Sequence, residues 1–199
     1  MLQQEENQQL VLFEPGMKSI IPAEDSGASF SNDRQYRYAL WRIWDRSKPL
    51  VMFIGLNPST ANETKADNTI HSVMRIARHN GYGGVYMLNC WPMVATNPKF
   101  LKWDELSDEW NAHTLRVLGS ICQDVVFAWG NFKVVQKQGR DQELLNMFPS
   151  ALCIGKNRNG SPKHPLFQKG TSKLKPFMIE IVEKPIKQIH NGKTRKDKN

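Results

Sequence analysis

The chain has 199 residues, 40% of them hydrophobic and 23% charged, with a formal net charge of +8. That length suits one domain with a substantial core. No apolar run approaches the roughly 20 residues of a membrane span, and the positive charge favours a polyanionic partner, nucleic acid before an anionic lipid surface.

Residues 1–32 are polar, with turn formers at Pro15, Gly16, Pro22 and Gly27 and one apolar cluster at 10–13. They read as an extended or partly disordered arm. The first residues lack the basic and apolar regions of a signal peptide, so a cytoplasmic protein is expected. Residues 33–183 read as the folded domain, and 184–199 as a basic disordered tail. Residues 36–44 alternate well enough for a strand, and Ser47-Lys48-Pro49 predicts a hairpin turn into the strand starting at Leu50. Arg37 and Arg42, beside Trp41 and Trp44, are candidates to touch nucleic acid, although such aromatics more often pack the edge of a core.

The continuous apolar run 50–54 predicts a strand covered on both faces. It stops at Gly55, where backbone can approach a ligand, and Asn57-Pro58 prevents direct entry into a helix. Asp67 is a good N-cap for a helix over 68–80, which Gly81 ends. Residues 85–89 predict a second buried strand, followed by a loop at 96–102. Asp104 or Ser107 then starts a helix running to about 118. A third strand (124–128), an amphipathic helix (132–148) and a fourth strand (151–154) follow. Beyond a long polar loop, a last helix is predicted over 176–183. Four short buried strands alternating with helices predict a three-layer α/β/α sandwich around a four-stranded parallel sheet, with an N-terminal hairpin.

Cys90, Cys122 and Cys153 show no C-x-x-C spacing and read as reduced, buried thiols; no zinc or iron–sulfur site is expected. No Walker loop, G-x-G-x-x-G or Ser-His-Asp pattern is present. Chemistry is instead expected where the parallel strands end, because ligands bind beyond the carboxyl edge of such sheets. Four turns meet there: Gly55-Leu56-Asn57-Pro58, Asn89-Cys90-Trp91-Pro92, Trp129-Gly130-Asn131, and the loop holding His164-Pro165.

In order and spacing these turns resemble the uracil-DNA glycosylase superfamily over roughly residues 50–170. Gly55-Leu56-Asn57-Pro58 resembles its water-activating motif in the Asn-containing version of the mismatch-specific thymine/uracil enzymes. Met87-Leu88-Asn89 resembles the strand end that reads the flipped pyrimidine. The run from Val125 to Phe132, with Lys137 and Gly139 beyond, is similar to the signature that follows. His164-Pro165-Leu166 resembles the His-Pro-Ser loop. The text around Asn57, with Asp67-Asn68-Thr69-Ile70, also looks like a bacterial and phage domain family of unassigned function, a divergent branch of the same fold.

The resemblance implies base excision from DNA without cofactor or metal, by a monomer that extrudes a nucleotide and hydrolyses its N-glycosidic bond. Asn57 would position water but, as an amide, cannot deprotonate it. Asp67 is the nearest downstream carboxylate, with helix capping as its equal alternative. His164 would donate to the leaving base; without the motif it reads as a surface-loop histidine. Gly55, Leu56, Pro58, Ser59, Asn89 and Trp91 would line the base site. Lys156, Arg158 and Lys163 would meet phosphates, with Leu166 or Phe167 as the wedge that fills the emptied stack.

Two departures carry information. Ser59 stands where the uracil-specific enzymes place a bulky Tyr that excludes substituents at pyrimidine C5, and Leu166 replaces the usual Ser. The expected substrate is therefore a C5-modified pyrimidine. Thymine in a mismatch fits, as does hydroxymethylcytosine or its glucosylated form in phage DNA, where the role would be defence. The competing readings are a non-catalytic binder of a modified base or nucleotide, and a hydrolase of free nucleosides, which the +8 charge and basic tail disfavour.

Overall fold

A computed structural model describes residues 25–59, 61–62, 64–95 and 105–177, with side chains of the last segment from 108 onward. Among these residues lie seven strands and four helices. In chain order they are β1 (Ser26–Phe30), β2 (Arg37–Ile43), β3 (Leu50–Gly55), α1 (Asn68–His79), β4 (Gly84–Asn89), α2 (Glu105–Ile121), β5 (Asp124–Phe127), α3 (Lys133–Lys137), α4 (Arg140–Met147), β6 (Leu152–Cys153) and β7 (Lys175–Pro176).

The strands form one mixed sheet in the order β1-β2-β4-β3-β5-β6-β7. Its centre is the parallel set β4-β3-β5-β6, with Gly55 beside Asn89 and Ile54 beside Phe127. Strand β3 reads as an unbroken apolar run because alternate residues enter different cores. Val51 and Phe53 pack with Ile70, Val73, Ile76 and Ala77 of α1. Met52 and Ile54 pack with Leu115 and Leu118 of α2, Val135 of α3 and Leu144 of α4. Helices therefore cover both faces of the sheet. Right-handed crossovers explain the split: β3-α1-β4 moves one way along the sheet and β4-α2-β5 returns across β3, so the two helices fall on opposite faces.

Three expectations need correction. Residues 36–44 form a strand, but not a hairpin with β3. β2 pairs antiparallel with β4 and with β1, and β4 lies between β2 and β3. The hairpin partner is β1, inside the stretch expected to be an extended arm; the four parallel strands sit in a seven-stranded sheet. The single helix over 132–148 is two helices, because Gly139 adopts φ +71° between α3 and α4, a conformation that interrupts helical hydrogen bonding and suits glycine. The helix starting at 176 begins instead in β7, and Phe177 is buried against Phe127 and Trp129. The rest of that predicted helix, the loop at 96–102, the apolar cluster at 10–13 and the basic tail lie outside the described residues.

Candidate base-binding cavity

The carboxyl ends of β3 and β4 are stitched together past the strands themselves. The Cys90 N–H donates to Gly55 O (2.8 Å), and the Trp91 N–H to Leu56 O (3.1 Å). Gly55 is required there, since a Cβ would come within 2.6 Å of Met87 Cε and 3.0 Å of the Asn89 amide. Loops leave β3 and β5 toward opposite faces, and the crevice between them opens into a cavity of about 160 Å³.

Its walls carry Asn57, Ser59, Asp67, Asn89 and His164, together with Arg37, Thr69 and Phe132. The Asn57 amide is fixed: Nδ2 donates to Pro58 O (3.0 Å) and Ala95 O (2.6 Å). Its Oδ1 remains the acceptor, suited to orienting water. Asn89 is buried, with its amide turned so that Nδ2 faces the carbonyl oxygens of Leu88 (3.2 Å) and Asn57 (3.3 Å). Asp67 caps the helix with one carboxylate oxygen and turns the other toward the cavity. Oδ1 accepts from the Ile70 N–H (2.9 Å) as the cap of α1, while Oδ2 accepts from the Ser59 hydroxyl inside the cavity.

His164 arrives from the opposite loop. Gly130 has φ +82°, and a Cβ there would lie 3.1 Å from His164 Cβ, so the β5 turn leaves just enough room for the His164 side chain. Nδ1 of His164 accepts from the Leu166 N–H (3.3 Å). That assigns the tautomer with a proton on Nε2. Burial holds the imidazole below its ordinary pKa of 6.5, against the opposing pull of Asp67. A neutral imidazole with Nε2–H is a hydrogen-bond donor that carries no full charge.

The remaining expected residues divide. Leu56 lines the cavity, and Pro58 contributes only its carbonyl, which accepts from Asn57 and from the Ala95 N–H (3.1 Å). Trp91 does not reach the cavity; it is 5% exposed and packs in the core beneath α2. Lys163 and Phe167 line an adjoining cavity of about 500 Å³ that shares Phe132 and His164 with the first. Phe167 is 81% exposed and Leu166 38%, side by side on a short 3-10 turn at Pro165–Phe167. Lys156 and Arg158 stand over a separate cavity with Trp129 and Phe177.

Sequence reasoning missed Arg37 and the network behind the strand end. Arg37 is 3% exposed and its Nη1 donates to Ala61 O (2.8 Å). Burial lowers its pKa to about 10, still charged at neutral pH, with Asp67 supporting the charge. Behind Asn89, the Asn111 amide donates to Asn89 O (3.1 Å) and Cys90 O (3.2 Å). Arg140 Nε donates to Cys90 O (3.0 Å), and Nη1 to Glu143 (2.7 Å). Its Nη2 lies 3.1 Å from Asp108 Oδ1 without hydrogen-bond alignment, an attraction between charges. An asparagine in an amphipathic helix and an arginine after a glycine gave no sequence signal of burial.

The three cysteines are free and buried, and burial pushes the Cys122 thiol up to about 12, far from a reactive thiolate. Among the described residues, no helix is long and apolar enough to cross a membrane and no cluster of three metal-ligating side chains forms.

A family model described as protein of unknown function DUF1643 matches residues 37–166. The chain belongs to the DUF1643 family. The matched segment begins at Arg37 and ends at Leu166, so it spans every residue lining the cavity around Asn57 and His164. No curated protein and no solved structure matches the chain.

Proposed function

We propose that the protein is a monofunctional DNA glycosylase that flips a C5-modified pyrimidine into this cavity and hydrolyses its N-glycosidic bond. The observation that carries the reading is the convergence of Asn57, Asp67, Asn89 and His164 on one nucleobase-scale cavity. Beside it stand the exposed Leu166 and Phe167 and the basic Lys163. Each group matches one need of the reaction.

Asn89 pairs with the polar edge of the base. Asn57 Oδ1 orients a water toward the anomeric carbon, and the Asp67 carboxylate takes its proton through the Ser59 hydroxyl that already points at Oδ2. The water oxygen bonds to C1′ as the C1′–N1 bond breaks, and the bonding pair leaves with the base. His164 Nε2–H donates to the oxygen on which that charge gathers, which lowers the barrier because the donor is already oriented. Leu166 and Phe167 fill the gap in the stack, and Lys163 meets a phosphate. The resemblance to the uracil-DNA glycosylase superfamily supports the same assignment, and Ser59 supports a base larger than uracil. Phage DNA rich in hydroxymethylcytosine or its glucosylated form is one source of such bases, and mismatched thymine another.

The test is single-turnover incubation with duplexes carrying one uracil, mismatched thymine or modified cytosine, followed by alkaline cleavage of abasic sites. Asn57→Ala and His164→Ala should each slow release about 10²–10⁴-fold while duplex affinity is retained. A protein that binds such duplexes but releases no base is a reader of modified bases on the same cavity, not an enzyme.

A further inference from the structure

We infer that Arg37 and Arg42 of β2 are positioning residues, which hold the loop between Ser59 and Asp67 so that its hydroxyl and carboxylate meet inside the cavity. Their effect on the reaction rests on the base-excision reading above. The loop leaves β3 after Gly55 and enters α1 through its cap, Asp67. Between these ends it crosses β4, which lies between β3 and β2 in the sheet. Its middle is held by β2. Arg37 Nη1 donates to Ala61 O (2.8 Å), and Arg42 Nη2 donates to Asn62 O (2.7 Å).

Both arginines are buried, at 3% and 8% exposure. Burying a guanidinium is costly even when carbonyls solvate it, and apolar side chains of similar volume often serve a core as well or better. Two buried cations on consecutive carbonyls of one loop therefore argue for placement of that loop rather than for filling of the core. The loop also stiffens itself. Asn62 Oδ1 accepts from the Lys65 N–H (2.9 Å) and the Thr64 N–H (3.1 Å), and the Asn62 N–H donates to Lys65 O (3.0 Å). Ala61 is buried in the same core as Ile70 and Val73 of α1. With its middle fixed in this way, the loop brings the Ser59 hydroxyl onto Asp67 Oδ2. The charge on Arg37 attracts Asp67 as well, so Arg37 acts on the middle and on one end. Without the clamp the segment would have to be ordered each time the two groups meet, and the reactive arrangement would be populated less often.

The two clamps differ in form. Arg37 holds the loop through one donor. Arg42 is a fork: Nη1 donates to Trp41 O (2.7 Å) and Gly27 O (3.3 Å) while Nη2 takes Asn62 O, so it ties the loop to β1 and β2 together. A lysine can stand in for a single donor but not for a planar fork.

The experiment measures single-turnover base release and duplex affinity side by side. Arg37→Met and Arg42→Met should each slow release by about 10²-fold, the scale of a misplacement of about 1 Å, with duplex affinity unchanged. Arg37→Lys should recover part of the rate, and Arg42→Lys should not. In an Asp67→Asn background Arg37→Met should add little, because residues that act through one another are not additive. Amide hydrogen exchange gives a readout free of activity: it should quicken over residues 61–67 in Arg37→Met and Arg42→Met, while β3 and β4 keep their protection. Should these variants fail to fold, Asn62→Ala, which opens the turn without touching a buried charge, should likewise slow release and quicken exchange. Losses that add in the Asp67→Asn background, a fall in affinity that accounts for the slower release, or unchanged exchange over 61–67 overturns the inference. No release by the wild-type chain from any duplex defeats the base-excision reading instead, and exchange over 61–67 then decides the inference by itself.

Discussion

At the residue scale, His164 sets the expected pH behaviour. Burial lowers its pKa below 6.5, so the folded state binds this proton less readily than the unfolded chain does. The stability it contributes is complete above pH 6.5 and is lost as pH falls through the depressed value. The acid limb of a pH–rate profile that depends on neutral His164 should accordingly lie below pH 6.5 and disappear in His164→Ala. Gly130→Ala makes a second test. Its φ of +82° and the 3.1 Å approach to His164 Cβ should cost about 1–2 kcal/mol of stability, read by denaturant unfolding. Base release should fall with it, since the imidazole is displaced. Asn57, Asn89 and His164 were legible from sequence because each stands at a strand end or in a loop with a distinctive neighbour, and Asp67 because it opens a helix as its N-cap. Arg37 was not, because nothing in an alternating strand separates an arginine that enters a cavity wall from one at the edge of a core. Trp91 was misassigned for the converse reason: an aromatic beside a motif residue points into the core when the strand end turns.

At the element scale, the strand end that presents Asn89 is held from behind by α2 and α4. Arg140 is 3% exposed and touches Cys90 O, Asp108 and Glu143. Arg140→Met should lower stability by about 1–3 kcal/mol, because it leaves the partly buried carboxylate of Asp108 and the buried carbonyl of Cys90 without their partner. Urea unfolding measures the loss. The parallel strands β3, β4 and β5 were legible because residues covered on both faces leave continuous apolar runs. The pairing of β2 was not. A strand that joins β4 across the sheet carries the same local pattern as one that turns back on β3, and only the long-range register distinguishes them. The break at Gly139 shows the limit of helical periodicity: the apolar spacing continues through 132–148, while one left-handed residue redirects the chain and brings Arg140 under the β4 turn.

At the scale of the whole molecule, the sheet gathers four turns at one edge and leaves an aromatic and basic rim beside them. Duplex binding should weaken with salt, and Lys163→Ala should lower the slope of log K against log[salt] by about 0.9, the contribution of one phosphate contact. Lys156 and Arg158, over their own cavity, should each do so only where the duplex extends that far, so footprints of differing length separate the two patches. Phe167→Ala, at a residue 81% exposed, should leave stability within about 0.5 kcal/mol yet impair base release from duplex more than from single strands.

In the proposed reaction the cavity around Asn57, Asp67, Asn89 and His164 breaks an N-glycosidic bond. The direct measurement is alkaline cleavage of duplexes with one modified pyrimidine after incubation with the wild-type chain and with Asn57→Ala. Strand breaks should appear at the modified position with the wild type, action on plain uracil should be weak or absent, and Asn57→Ala should reduce the breaks about 10²-fold or more. Intact strands with every C5-modified base, from a folded protein that binds them, would contradict it; strong release of uracil alone would contradict the open pocket that Ser59 implies.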